Sequence, residues 1–155
     1  MNDKEKLNLK IQLKEKAGQI LQSRIYTSLN AMQEAQHAAN EEGKSSVGDK
    51  YETSRAMAQI DRDIHARQLE IAQKELSFLQ QVDINHFCNK VEVGAYVHSN
   101  QEKYFFLIGL GPLEIDNQKI VFLSINSPIG KIFLEKKVGD KVTFNGKEIL
   151  INEVF

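Results

Sequence analysis

The sequence predicts an α+β protein in which a long helical hairpin precedes a small β domain with one short helix. Residues 4–40 and 53–81 contain apolar residues at helical spacing and no proline, and the stretch between them is rich in glycine and serine. After about residue 84 the pattern changes to short alternating or apolar runs of strand length. We therefore predict two domains, 1–83 and 84–155.

Each predicted helix carries one apolar stripe with steps of three and four residues, which is typical of a helix that buries one face. The first stripe comprises Leu13, Ala17, Ile20, Leu21, Ile25, Met32, Ala35 and Ala39. The second comprises Met57, Ile60, Ile64, Leu69, Ala72, Leu76 and Leu79. Each stripe is too narrow to be a core alone, so we expect the helices to pack against each other as an antiparallel coiled-coil hairpin. Residues 43–52 would form its tip.

The β domain is predicted from short apolar runs separated by turn residues. The strand candidates are 90–98, 103–111, 119–125 and the two halves of 140–155. Ser127 is a suitable N-cap and Pro128 occupies a first helical position, so a short helix is expected over 127–137. Asn145-Gly146 predicts a tight hairpin, because both residues tolerate positive φ. The expected result is an antiparallel sheet with one helix against it.

Composition and charge exclude several classes of protein. The net charge of −1 gives no overall field that would draw the chain to nucleic acid or anionic lipid. No apolar run approaches the roughly 20 residues of a membrane span, and the N-terminus lacks the apolar segment of a signal peptide. Cys88 is the only cysteine, so the chain has no internal disulfide, and a cytoplasmic location is expected. His86 lies nearby, but two candidate ligands are too few for a zinc site, so both residues are interpreted as packing residues.

The predicted tip contains two candidate sites. Residues 38–45 resemble a phosphate-binding loop, but a helix precedes them instead of a strand and the leading glycine is missing, so we interpret them as a turn. Asp49 and Glu52 lie three residues apart at the expected start of the second helix, where their carboxylates would share one end face. Such a pair can help to hold Mg²⁺ with several waters, or it can cap the helix and favour its dipole. Spacing alone leaves both interpretations open.

Two segments make the chain resemble the bacterial Gre transcript cleavage factors, which bind RNA polymerase. The stretch Gly48-Asp49-Lys50-Tyr51-Glu52 resembles the Gly-Asp-x-x-Glu tip of that family. Residues 125–144 resemble its C-terminal pattern of Ser-Pro, a short helix with small residues, Val-Gly-Asp and a strand. The order and lengths of the predicted elements agree along nearly the whole chain.

The resemblance implies an FKBP-like fold for residues 84–155, without isomerase activity. It also implies that this domain docks at the rim of the secondary channel of RNA polymerase. The residues that fall on the family's docking motif, here called the docking segment, are Ser127, Pro128, Ile129 and Gly130.

For the hairpin, the resemblance implies entry into the channel, with Asp49 and Glu52 at the polymerase active centre. There the two carboxylates would help to hold a second Mg²⁺ shared with the polymerase, which then cleaves backtracked RNA. The chain would have no enzyme activity of its own and no stably bound cofactor. It would meet the nascent RNA 3′ end only indirectly, would not bind membranes and would act as a monomer.

The tip departs from the family pattern, in which Leu-Ser precede the second acid and Asn-Ala follow it. Lys50, beside Asp49, would either weaken metal binding or contact an RNA phosphate. Tyr51 would either stack on a base or pack at the hairpin end. Arg55 and Arg62 are seven residues apart and share a helix face, which either contacts RNA or polymerase or is simply solvated.

Three hypotheses follow for function. The chain is a polymerase-binding factor that stimulates RNA cleavage, a regulator that occupies the same channel without stimulating cleavage, or a structural protein whose hairpin mediates self-association. The altered tip leaves the first two open, because Gre homologues of both kinds exist.

Overall fold

The computed structural model describes residues 1–42 and 48–155, and the side chains of residues 1–41 and 52–155. Two long helices come first, α1 (Asp3–Glu42) and α2 (Gly48–Gln81). Six strands and one short helix follow: β1 (Tyr96–Ser99), β2 (Lys103–Phe106), β3 (Gly111–Ile115), β4 (Gln118–Leu123), α3 (Pro128–Phe133), β5 (Lys141–Phe144) and β6 (Lys147–Val154). The predicted α+β class is confirmed.

The chain divides into two compact units, which we describe separately. The helical unit is Gly18–Phe78, and the sheet unit comprises Met1–Ala17 and Leu79–Phe155. The first turns of α1 thus belong to the same unit as the β domain. A division of the chain at a single residue cannot describe such a unit, because it is made of two separate segments. The division into 1–83 and 84–155 stays a prediction.

The helical unit has a narrow buried seam. Leu21, Ser28, Ala39 and Ala72 are buried. A cavity of about 360 Å³ is lined by residues of both helices, namely Ser23, Arg24, Thr27, Ser28, Gln68, Ile71, Ala72 and Glu75. The two helices therefore lie side by side in this unit.

Three apolar residues that the sequence assigned to this seam are exposed instead. The exposed fractions are 63% for Met57, 58% for Ile60 and 40% for Ile64. Together with Ile71 and Phe78, which are 57% and 43% exposed, they form what we call the α2 stripe. A helix has 3.6 residues per turn, so an apolar pattern that spans several rows drifts around it. In this unit Ala72 lies on the buried side of α2, whereas the residues of the α2 stripe lie on an exposed side of the same helix.

The sheet has the strand order β3-β4-β2-β1-β6-β5. It is mixed, which corrects the expectation of a purely antiparallel sheet: β2 and β4 pair in parallel, with Phe105 opposite Phe122. The reason is the position of β3, which pairs antiparallel with β4 and lies at the edge of the sheet. Strand β4 therefore lies between β3 and β2 and runs in the same direction as β2. The other strand pairs between residues 96 and 154 are antiparallel.

The predicted local signals in the β domain are confirmed, with shorter elements. Asn145 and Gly146 have φ of 50° and 74° and connect β5 to β6. Helix α3 starts after Ser127 as expected but ends at Phe133, and Glu135 then takes a φ of 69°. The core between the sheet and α3 is formed by Val91, Val97, Tyr104, Phe106, Phe133, Val142, Ile149 and Ile151.

Candidate functional site

The predicted acidic tip lies at the start of α2. This helix begins at Gly48, so Asp49 and Glu52 are three residues apart within its first turns, where such positions are neighbours on the helix surface. Glu52 is exposed. Residues 43–47, which include the predicted turn, lie outside the described residues, and so does the side chain of Asp49. The pairing of the two carboxylates stays a prediction.

The other predicted tip contacts are only partly described. The side chains of Lys50 and Tyr51 lie outside the described residues. Arg55 is exposed, and the Arg62 side chain is 39% exposed with its guanidinium 3.1 Å from the Asp63 carboxylate. The assignment of these residues to RNA or polymerase contacts stays a prediction.

The docking segment is the capped start of α3. The Ser127 hydroxyl accepts a hydrogen bond from the Gly130 amide at 3.0 Å and donates one to the Ser124 carbonyl at 2.6 Å. A Cβ at Gly130 would lie 2.0 Å from that carbonyl oxygen, so only glycine fits. Ile129 packs against the core, and Pro128, at the first helical turn, is exposed. A rigid turn therefore presents Pro128 to solvent.

A cluster that the sequence did not predict lies where the connector between α2 and β1 meets Lys10 of α1. The cluster, here called the connector cluster, consists of Lys10, His86, Cys88 and Glu92. Lys10 of α1 is fully buried; its ammonium nitrogen donates to the His86 carbonyl at 2.9 Å and lies 3.9 Å from Cys88 Sγ. His86 Nε2 is 3.7 Å from Cys88 Sγ and 3.9 Å from Glu92 Oε1. The structure thus adds Glu92 as a third candidate metal ligand to the two that the sequence indicated.

Burial acts on the two ionisable groups at the centre of the cluster in opposite directions, because it disfavours the charged form of each. It lowers the pKa of Lys10, an effect opposed by the charge of Cys88. It raises the pKa of the Cys88 thiol, an effect opposed by the charge of Lys10. Helical spacing from Leu13 and Ala17 places Lys10 in line with the first apolar stripe. A lysine is normally expected in solvent, so its residue type argued against burial at this position.

Comparison with known proteins decides what the β domain is. Residues 81–154 match the family model for the C-terminal domain of the transcription elongation factors GreA and GreB. Residues 81–154 are therefore similar to the C-terminal domain of GreA/GreB factors. This GreA/GreB-like domain contains the six strands of the described residues and the docking segment, so the predicted resemblance to Gre factors is confirmed.

A curated relative supports the same assignment. The protein named transcription elongation factor GreA from Thermodesulfovibrio yellowstonii is 42% identical to this chain over 60 residues. The alignment covers 36% of this chain and 36% of that relative, so it spans about a third of the length of each. Within residues 1–42 and 48–155, no helix has the length and apolarity needed to cross a membrane.

Proposed function

We propose that the chain is a transcription elongation factor that binds RNA polymerase through the secondary channel and stimulates cleavage of backtracked RNA by the polymerase itself. The observation that carries the proposal is a GreA/GreB C-terminal domain preceded by two long helices, Asp3–Glu42 and Gly48–Gln81. In this proposal the chain acts in the cytoplasm as a monomer. It stimulates the active site of its partner and has none of its own.

The tip acids supply the chemistry of the proposal. Phosphodiester cleavage by two divalent ions about 4 Å apart requires both ion positions to be filled. Mg²⁺ keeps several waters and needs only one or two protein carboxylates, so a pair of carboxylates from a second protein can complete a weakly held position. Asp49 and Glu52 occupy positions three residues apart at the start of α2, and Glu52 is exposed. They would bind the second Mg²⁺ and orient the attacking water.

The docking segment supplies attachment. Its turn is fixed by the Ser127 hydrogen bonds and by the close packing at Gly130, and it leaves Pro128 exposed. A preorganised apolar contact loses little conformational entropy on binding, which favours recognition by a protein partner. We therefore assign polymerase docking to this segment.

The test is RNA cleavage by a stalled, backtracked polymerase from the same organism. The unaltered chain should shorten the RNA, and Asp49→Ala and Glu52→Ala should each abolish the stimulation while polymerase binding is retained. Asp61→Ala, which removes an exposed carboxylate further along α2, is the matched control and should cleave normally. Equal cleavage by all four proteins would contradict the role of the tip acids and favour helix capping for them.

A channel-binding regulator without cleavage is the second candidate, and the replacement of the family's Leu-Ser by Lys50-Tyr51 favours it. It predicts that the unaltered chain binds polymerase and slows RNA synthesis without shortening the RNA. A self-associating hairpin predicts instead a stable dimer in light scattering and no binding to polymerase. The cleavage assay and the mass of the chain in solution distinguish the three hypotheses.

A further inference from the structure

We propose that His86, Cys88 and Glu92 form a binding site for one Zn²⁺ ion, with water as the fourth ligand. The site lies in the sheet unit, on the connector between α2 and β1. It uses neither the tip acids nor the docking segment, so it is independent of the proposed function.

The distances within the cluster fit tetrahedral zinc. Zinc binds thiolate sulfur at about 2.3 Å and imidazole nitrogen or carboxylate oxygen at about 2.0–2.2 Å, so ligand atoms of a tetrahedral site lie roughly 3.3–3.6 Å apart. His86 Nε2 is 3.7 Å from Cys88 Sγ and 3.9 Å from Glu92 Oε1, and the three ligand atoms all lie within 4.8 Å of one another. The two distances from His86 Nε2 need to shorten by only a few tenths of an ångström, whereas the ligand atoms of Cys88 and Glu92 need to approach by up to about 1.2 Å, which rotation of the partly exposed Glu92 side chain can supply.

The three ligand side chains come together because of the way the connector is folded. The three residues occupy positions 86, 88 and 92 of a segment that is neither helix nor strand, so no regular repeat brings them together. Lys10 fixes the connector by donating a hydrogen bond to the His86 carbonyl at 2.9 Å. The Asp83 carboxylate accepts a hydrogen bond from the Asn85 amide at 2.9 Å, which shapes the turn just before the ligands.

The ligand chemistry and exposure favour zinc over magnesium or calcium. Thiolate and imidazole are ligands for zinc and related transition metals, whereas Mg²⁺ and Ca²⁺ prefer oxygen. Cys88 is buried, while the side chains of His86 and Glu92 are 46% and 37% exposed. The sulfur therefore forms the inner wall of the site, and the outer side is open for entry of the ion and for a water ligand.

Charge balance also permits a divalent ion. A thiolate and a carboxylate together neutralise Zn²⁺, and the Lys10 ammonium, 3.9 Å from Cys88 Sγ, can donate a hydrogen bond to the ligating sulfur. Such a donor orients a metal ligand and supports its charge. The bound ion would tie the connector together and stabilise the sheet unit, because the unfolded chain lacks the assembled site.

The experiment is a zinc titration of the full chain, followed by competition with a fluorescent chelator, together with a Co²⁺ titration followed by visible absorption. We expect one ion per chain and an absorption band from thiolate ligation to Co²⁺. His86→Ala, Cys88→Ser and Glu92→Gln should each weaken zinc binding at least about tenfold. His98→Ala is the matched control, since it removes an exposed histidine on β1, and it should bind zinc as the unaltered chain does.

The proposal is overturned if the chain binds no zinc, or if zinc binding survives in the three ligand variants. It is also overturned if Asp49→Ala and Glu52→Ala remove the binding, because the ion would then be held at the tip. Glu92→Gln keeps shape and is partly exposed, so it tests the site even if Cys88→Ser does not fold. These measurements use the chain without polymerase, so they can fail or succeed irrespective of the cleavage assay.

Discussion

The helical unit and the sheet unit bury apolar side chains in different ways. In the sheet unit, eight residues from four strands, α3 and the connector form one cluster, and Val97, Phe106 and Phe133 are fully buried in it. In the helical unit, small residues such as Ala39 and Ala72 line the buried seam, while the large side chains of the α2 stripe remain exposed. In this protein, the apolar character of a residue therefore predicts its burial better in a strand than on α2.

This difference follows from geometry. A strand alternates between two faces, so once one face is covered the burial of each residue is fixed. Two helices side by side contact each other along a narrow line, and residues one row away from that line stay in water. An apolar residue is thus expected to contribute less to the free energy of unfolding in the helical unit than in the sheet unit.

The largest expected effect is at the core of the sheet unit. Phe106 is fully buried, and its ring lies 5.5 Å from that of Phe133. Phe106→Ala should lower the free energy of unfolding in urea by about 4 kcal/mol, because it leaves a cavity and removes buried area. Tyr26→Ala, at a residue 68% exposed on α1, is the aromatic control and should change stability by less than about 0.5 kcal/mol. Similar losses in both variants would contradict the contrast between the units.

Local chemistry made several parts of the fold predictable. Ser127 and Pro128 start α3, and Asn145-Gly146 turns between β5 and β6, because each signal acts through its own backbone. The parallel pairing of β2 with β4 was not predictable in this way, since it depends on where the β3–β4 hairpin docks. The exposure of Met57 likewise depends on which row of α2 meets α1.

The two candidate sites likewise differ in whether local sequence predicts them. Asp49 and Glu52 are three residues apart in one helix, so sequence spacing is enough to propose them as a pair. Lys10 and His86 are 76 residues apart, and only the fold brings the ammonium of one to the carbonyl of the other. Glu92 joins His86 and Cys88 through the irregular path of the connector, for which the sequence has no periodic signal.

An intermediate effect is expected at alkaline pH in the sheet unit. Tyr96 is 2% exposed and stacks on Phe155 with ring centroids 4.7 Å apart. Burial, helped by the charge of Glu153, raises the pKa of Tyr96 to about 12 from an ordinary value of 10.0. Because the folded pKa is the higher one, this contribution to stability is complete below pH 10 and is lost as the pH rises from 10 to about 12.

The size of that loss should be about 2–3 kcal/mol, which corresponds to a pKa difference of roughly two. It can be measured as the difference in the free energy of unfolding between the unaltered chain and Tyr96→Phe, followed from pH 9 to pH 12. The Phe variant lacks the phenol, so its stability should fall less steeply over this range. Parallel curves for the two proteins would show that Tyr96 ionises equally in the folded and unfolded chains.

The smallest effect is expected on the α2 stripe, and it bears most directly on the contrast between the units. Ile60 is 58% exposed, so Ile60→Ala removes little buried area and should change the free energy of unfolding by less than about 0.5 kcal/mol. Leu21→Ala is the control in the same unit. Leu21 is fully buried in the seam, and its truncation should cost about 2–4 kcal/mol. If Ile60→Ala cost as much as Leu21→Ala, the α2 stripe would be covered in solution, and light scattering would then show whether a second copy of the chain covers it.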